Sequence, residues 1–338
     1  MNPRRTVMNR LILIAALILS GASTPIAEGA TSAEPRRPVH TYSIVARDAA
    51  TGEIGVAVQS HWFSVGSGVV WAEPGVGAVA TQSFTDPNYG PLGLALMRAG
   101  KSAQQSLEAL LAADSHRDVR QVGMVDASGS AANHTGSNSI REHCDATGDG
   151  YTVQANLMWK PTVCESMTMA FEQAAGDLAE RLMLALEAAQ DEGGDMRGKQ
   201  SAALLVVSGD RSLPAWGGRL FDLRVDDHAE PLREIRRLLT VARAYRHMND
   251  GDEYLANGDI DRASAAYGAA AALLPGSHET LFWHAVTLVE GGRVDEALPL
   301  FARAFEMWPL WRELVERLPD AGLLPHDPDL MQKIVTAR

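Results

Sequence analysis

The blockwise alternation of strand and helix periods between Thr41 and Asp227 constrains this chain more than any single motif. Tyr42-Ser43-Ile44-Val45-Ala46 and Ile54-Gly55-Val56-Ala57-Val58 read as strands, and Asp48–Gly52 supplies turn residues between them, which predicts a hairpin. A second pair follows at Val69–Ala72 and Val76–Thr81, joined by Glu73-Pro74-Gly75. The period then turns helical: Leu92, Leu94, Leu96 and Met97 form one segment, and Ser102 caps another with Leu107, Leu110 and Leu111 on one face. Strands resume at Gln121–Val125, Ala131–His134 and Tyr151–Met158, helices at Pro161–Ala174 and Leu178–Glu192, and strands at Ala202–Val207 and Leu220–Val225. Blocks of strands and blocks of helices predict an α+β fold of sheets sandwiched between helical layers, not the strict alternation of a doubly wound sheet.

After Asp227 the chain reads as helical to its end, and it repeats. Gly258, Ile260, Asp261, Ala263, Tyr267, Ala270 and Pro275 recur 34 residues later as Gly292, Val294, Asp295, Ala297, Phe301, Ala304 and Pro309. That offset is the period of a tetratricopeptide helix pair. Each such unit buries its face only against neighbours, so two copies need caps, which Pro231–Met248 and Trp311–Ile334 are placed to supply. Residues 228–338 are therefore expected to form a small all-α module able to dock a protein partner.

Arg4, Arg5 and Arg10 precede the apolar run Leu11–Leu19, which is followed by the small residues Ser20, Gly21 and Ala22. This is the pattern of a cleavable secretory signal, too short to span a bilayer comfortably. Cleavage after Ala22, or alternatively after Ala30, predicts an exported, periplasmic or secreted chain without a membrane span. Residues 23–38, rich in Ser, Thr, Pro, Ala and Arg, read as a flexible leader, so the folded part begins near Val39. The net charge of −12 argues against a nucleic-acid partner, since phosphate binding needs clustered cations. Cys144 and Cys164, in an oxidising compartment, either close one disulfide or stand as two separate thiols. Their spacing is not that of a zinc site, and Asp145–Gly150 lacks the liganding Glu of a calcium loop, so no metal and no cofactor is expected.

His40–Asp48 followed by Gly55–Ser60, Trp71–Ala78, Asn88-Tyr89-Gly90-Pro91 and Gly193–Leu204 together resemble the signatures of the DUF1028 family, grouped with the N-terminal-nucleophile hydrolases. The resemblance covers about Thr41 to Asp227 and places that domain at residues 39–227. It implies a four-layer αββα sandwich in which the first residue of the mature strand attacks an amide, its own α-amine serving as base. On that pattern Thr41 is the nucleophile, and it must first be freed from His40. An α-amine with an ordinary pKa near 8 is suited to take the hydroxyl proton. The lysine that tunes proteasome-like sites from a following strand is missing, since no lysine occurs between Thr41 and Gly100.

Beside Thr41, the ionisable candidates for the chemistry are Asp48 and His61. Asn156, in an otherwise strand-like run, is either an oxyanion-hole amide or a satisfied buried amide. For substrate binding the candidates are Gln59 and Ser60 at the end of the second strand, Gln82, Ser83, Asn88 and Tyr89 in a polar loop, and Asp195 and Arg197 among glycines. The glycine-rich stretch also suits a plain helix stop. The expected substrate is a small amide or peptide-like fragment; a non-catalytic binding protein on the same scaffold is the competing expectation.

Overall fold

A computed structural model describes residues 41–338; the expected signal and leader lie outside that range. Ten strands run in chain order: β1 Thr41–Arg47, β2 Ile54–Ser60, β3 Val70–Glu73, β4 Gly77–Ser83, β5 Arg120–Asp126, β6 Ala131–Thr135, β7 Cys144–Gly148, β8 Tyr151–Ala155, β9 Ser201–Val207 and β10 Arg219–Val225. They form a six-stranded sheet, β10-β9-β2-β1-β8-β7, and a four-stranded sheet, β3-β4-β5-β6, with every named pairing antiparallel. β7 was not foreseen. Its sequence Cys144-Asp145-Ala146-Thr147-Gly148 carries no apolar alternation, and it is held as an edge strand by pairing with β8.

Three apolar layers follow from side chains alternating across the strands. Val45, Ile54, Val56, Val58, Ala78, Ala80, Val125, Ala203, Leu205 and Val207 meet between the two sheets. Tyr42, Ile44, Ala57, Val153, Leu204 and Val206 face the helices α3 Val163–Gln173 and α4 Leu178–Asp191. On the far side, Val79, Val122, Met124 and Ala132 pack under α1 Tyr89–Arg98 and α2 Ala103–Ala113. Helices, sheet, sheet, helices is the αββα order. Ser102 caps α2 through a capping box with Gln105, as its position before the apolar run predicts.

Cys144 on β7 and Cys164 on α3 are joined by a disulfide that ties the edge strand to the helical layer. Breaking it by Cys164→Ser frees a loop with a sequence separation of 20. We expect a loss of about 3 kcal/mol of stability, visible as a lower denaturant midpoint than the parent and matched by adding reductant to the parent.

The C-terminal helices are α5 Pro231–Ala256, α6 Ile260–Leu273, α7 His278–Glu290, α8 Val294–Met307, α9 Trp311–Val315 and α10 Pro328–Val335. Asp259 and Ser277 cap α6 and α7, and Phe282, Phe301 and Phe305 centre the core of α7 and α8. Leu232, Ile235 and Leu239 of α5 enter the core of the six-stranded sheet, and Arg236 bridges to Glu180 and Glu187 of α4. The sandwich and these helices belong to one compact unit. Among the described residues no helix is long and apolar enough to cross a membrane.

Candidate active site

The two ends of the sandwich differ. At one end the strands turn back tightly, at 48–53, 74–76, 127–130 and 149–150, together with the β9–β10 loop. At the other end lie the long connections: 61–69, 84–119 with α1 and α2, 136–143, and 156–200 with α3 and α4. β1 begins, β2 ends, β8 ends and β9 begins at this second end, which places Thr41 there, opposite Ser60 in the register. Binding residues belong on long connections carried by a rigid sheet.

Toward this end the space between the sheets turns polar. Gln82 of β4 accepts from Ser43 at 2.6 Å through Oε1, and its Nε2 lies 3.2 Å from the Thr41 carbonyl, 2.7 Å from Gln121 Oε1 and 3.2 Å from the Gln154 carbonyl. Gln154 Nε2 donates to Ser43 Oγ at 2.6 Å, and Gln121 Nε2 to the Ala155 carbonyl at 3.0 Å and to Thr135 Oγ1 at 2.9 Å. Three glutamines fully buried between two sheets are costly unless satisfied, so this connected network fixes how the sheets face one another. Gly123 makes room for it: a Cβ there would stand 2.1 Å from Gln154 Oε1.

Thr41 sits where this network meets the sheet end. Its hydroxyl donates to Ser60 Oγ at 3.3 Å, and its carbonyl accepts from the Asn156 backbone N–H at 3.1 Å as well as facing Gln82. The Asn156 side chain donates to Gln121 Oε1 at 2.9 Å. Immediately beyond, the His61 N–H donates to Asp195 Oδ2 at 3.0 Å. The buried Asp195 carboxylate also takes Arg197 through Nε at 3.1 Å and Nη2 at 2.7 Å. Lys199, on the same connection, pairs with Glu230. Ser83, next to Gln82, is buried at φ 68°, a left-handed conformation unusual for serine, and its hydroxyl has no hydrogen-bond partner. Such strain at a strand end is tolerated only where the surroundings enforce it.

Thr41, Ser60, Gln82 and Asn156 are thus brought together, with His61, Asp195 and Arg197 directly behind them and Ser83 alongside in sequence. Asp48 is not among them. It follows the last residue of β1, about 20 Å of strand away from Thr41, where its carboxylate accepts from the N–H groups of Ala50 and Thr51 and pairs with Arg181. Those backbone bonds from Thr51 foremost hold its carboxyl below the usual range. Gln59 is opposite Tyr42, one residue out of phase with Ser60, so it faces α4, where Tyr42 Oη meets it and lies 3.0 Å from Gln190. Burial, with the charges of Asp195 and Asp191, raises the Tyr42 pKa well above normal. Tyr89 packs in the outer core under α1 and donates to Asp114 at 3.0 Å, while Asn88 precedes α1 at the exposed start of that helix. The four-stranded sheet separates both from the inward side chain of Gln82. Ser43, Gln121 and Gln154 were missed; their signal is a polar residue at an inward parity in strands otherwise apolar. Among the described residues no group of three or more His, Cys, Asp or Glu side chains is arranged to hold a metal.

The family model of DUF1028, a family of unknown function, matches residues 41–235. The chain belongs to the DUF1028 family. Its structure is similar to the crystal structure of a DUF1028 protein from Silicibacter pomeroyi, with 29% sequence identity and a TM-score of 0.54 over 60% of this chain and 89% of that one. Among curated proteins none matches. The DUF1028 match opens at Thr41 and contains both sheets, the polar network and every candidate site residue, whereas α6 to α10 lie beyond it.

Proposed function

We propose that this DUF1028 protein is an exported amide hydrolase whose nucleophile is the Thr41 hydroxyl, acting on a small amide or a peptide-like fragment. The observation that carries this reading is the seat of Thr41: first residue of the central strand β1, at the end where the long connections gather, its carbonyl clamped by the Asn156 N–H and faced by Gln82. The resemblance to N-terminal-nucleophile hydrolases supports it. With the His40–Thr41 bond cut, the α-amine takes the proton from Oγ1 as that oxygen bonds to the substrate carbonyl carbon. The carbon–nitrogen bond then breaks, the proton leaves with the amine, and an ester remains on Thr41. Water hydrolyses that ester and returns the proton. Ser60 Oγ, 3.3 Å from Thr41 Oγ1, orients the attacking hydroxyl. Asn156 and Gln82 act as positioning residues that hold the Thr41 backbone.

The Cys144–Cys164 disulfide supports export, because such bonds persist in oxidising compartments. The 34-residue repeat supports a tetratricopeptide-like role for the C-terminal helices in docking a partner. One observation favours a non-catalytic ligand-binding scaffold instead: the charges near this end are committed internally, Arg197 to Asp195 and Lys199 to Glu230. A hydroxyl-acylating β-lactone separates the two. The hydrolase reading predicts a stoichiometric adduct on the peptide beginning at Thr41; an unmodified Thr41 peptide at saturating probe supports the scaffold.

A further inference from the structure

Two of the connections at the Thr41 end, 61–69 and 156–200, carry large apolar side chains that stay in solvent. Phe63 is 64% exposed, Trp159 62% and Met196 52%. Phe63 lies three residues beyond Ser60, and Trp159 three beyond Asn156, so each Cα is within about 11 Å of a residue that touches Thr41. Met196 follows Asp195, which holds the His61 N–H.

Trp159 and Met196 are set by one piece of antiparallel pairing. Met158 bridges Asp195, the Trp159 N–H donates to the Gly194 carbonyl at 2.9 Å, and the Met196 N–H reaches the Leu157 carbonyl at 3.3 Å. Opposed residues share a face and neighbours alternate, so the buried pair Met158 and Asp195 points inward, and Trp159 and Met196 point outward together as diagonal neighbours. The indole is seated, not loose: a Cβ on Gly193, whose φ is +107°, would stand 2.9 Å from the Trp159 ring. Ordered aromatic and thioether side chains left in water beside a site are the usual material of ligand recognition.

We infer that Phe63, Trp159 and Met196 form an apolar wall beside Thr41 that selects amides bearing an aromatic or long aliphatic side chain next to the bond to be cut. This rests on the reading of Thr41 as nucleophile. The continuity is structural, since the paired segment that turns Trp159 and Met196 outward turns Asp195 inward onto the backbone of the residue after Ser60. A wall of this kind discriminates by apolar contact, which is worth about 10- to 200-fold between substrates differing by a small apolar group.

The test uses the full-length chain as the cell processes it, with N-acetyl amino-acid p-nitroanilides of phenylalanine, leucine, alanine and glycine. The parent should prefer phenylalanine and leucine over alanine by at least about 10-fold in kcat/KM. Trp159→Ala and Met196→Ala should each collapse that preference while leaving the glycine substrate little changed, and Trp159→Tyr should restore most of it. Trp216→Ala is the control, since that residue, 81% exposed, lies on the β9–β10 loop at the opposite end. Turnover that needs Thr41 but keeps the same preference in both wall variants overturns the wall and leaves the nucleophile standing. Turnover that is absent, or indifferent to Thr41→Ala, removes the nucleophile reading. The wall is then judged by equilibrium binding of N-acetyl-phenylalaninamide against N-acetyl-alaninamide: no difference in the parent, or a difference unchanged by Trp159→Ala, overturns it.

Discussion

Thr41→Ala is expected to abolish amide turnover, by ~10⁴-fold or more, while the protein stays folded. The hydroxyl removed makes a 3.3 Å bond to Ser60 Oγ, whereas the backbone contacts that seat the residue, from Asn156 and Gln82 to its carbonyl, survive the change. A neutral hydrogen bond is worth about 1 kcal/mol, so losing the bond to Ser60 should by itself shift the melting temperature by only a few degrees. Thr41→Ser keeps an oxygen at the same place and should retain turnover within ~100-fold of the parent. The pH profile gives a second signature. The base is an α-amine that works only when unprotonated, so turnover should rise as pH climbs through its ordinary value near 8 and fall away below it. Equal activity of the alanine and serine variants would remove Thr41 from the chemistry.

The second large effect is on stability. Gln82→Leu keeps the approximate volume of a fully buried side chain but leaves Ser43 Oγ, Gln121 Oε1 and the carbonyls of Thr41 and Gln154 without their common partner. Each buried polar group left unmatched costs about 1–3 kcal/mol, and we expect a net loss of about 4 kcal/mol. For a chain this long that is roughly 10 °C in melting temperature, read by calorimetry. Turnover should fall as well, because the Thr41 carbonyl loses one of the two groups around it. A variant as stable as the parent would mean that the glutamine network does not organise the sheets. Gly123→Ala should destabilise in the same direction, since its Cβ would occupy the place of Gln154 Oε1.

Much of this fold was legible because it is written in periods. Strands such as Ile54–Ser60 and helices such as Leu178–Asp191 bury a face, and burial imposes alternation or helical spacing on the sequence. β7 escaped because it is an edge strand with Asp145 and Thr147 exposed and a disulfide doing what apolar packing does elsewhere. The site was legible only in part. Thr41, Ser60, Gln82 and Asn156 could be named, since polar residues at strand ends invite a functional reading. The hairpin turn at 48–53 sends Asp48 to the end away from Thr41, and strand parity sets Gln59 on the face opposite Ser60, so the sequence itself separates these two from the site. Gln121 and Gln154 stand out in the sequence only as polar residues at one strand parity, and that signal needs the inward face of β5 and β8, which is decided by pairings distant in sequence. Trp159 and Met196 look like ordinary core residues until the bridge between Met158 and Asp195 turns them outward.

The central claim is that Thr41 becomes a free N-terminus, and the intact mass and N-terminal sequence of the protein recovered from its native cells test it most directly. A chain beginning at Thr41 is the predicted result. A chain beginning at Ser23 or Thr31, with Thr41 still bonded to His40, contradicts the account and leaves the sandwich as a binding scaffold.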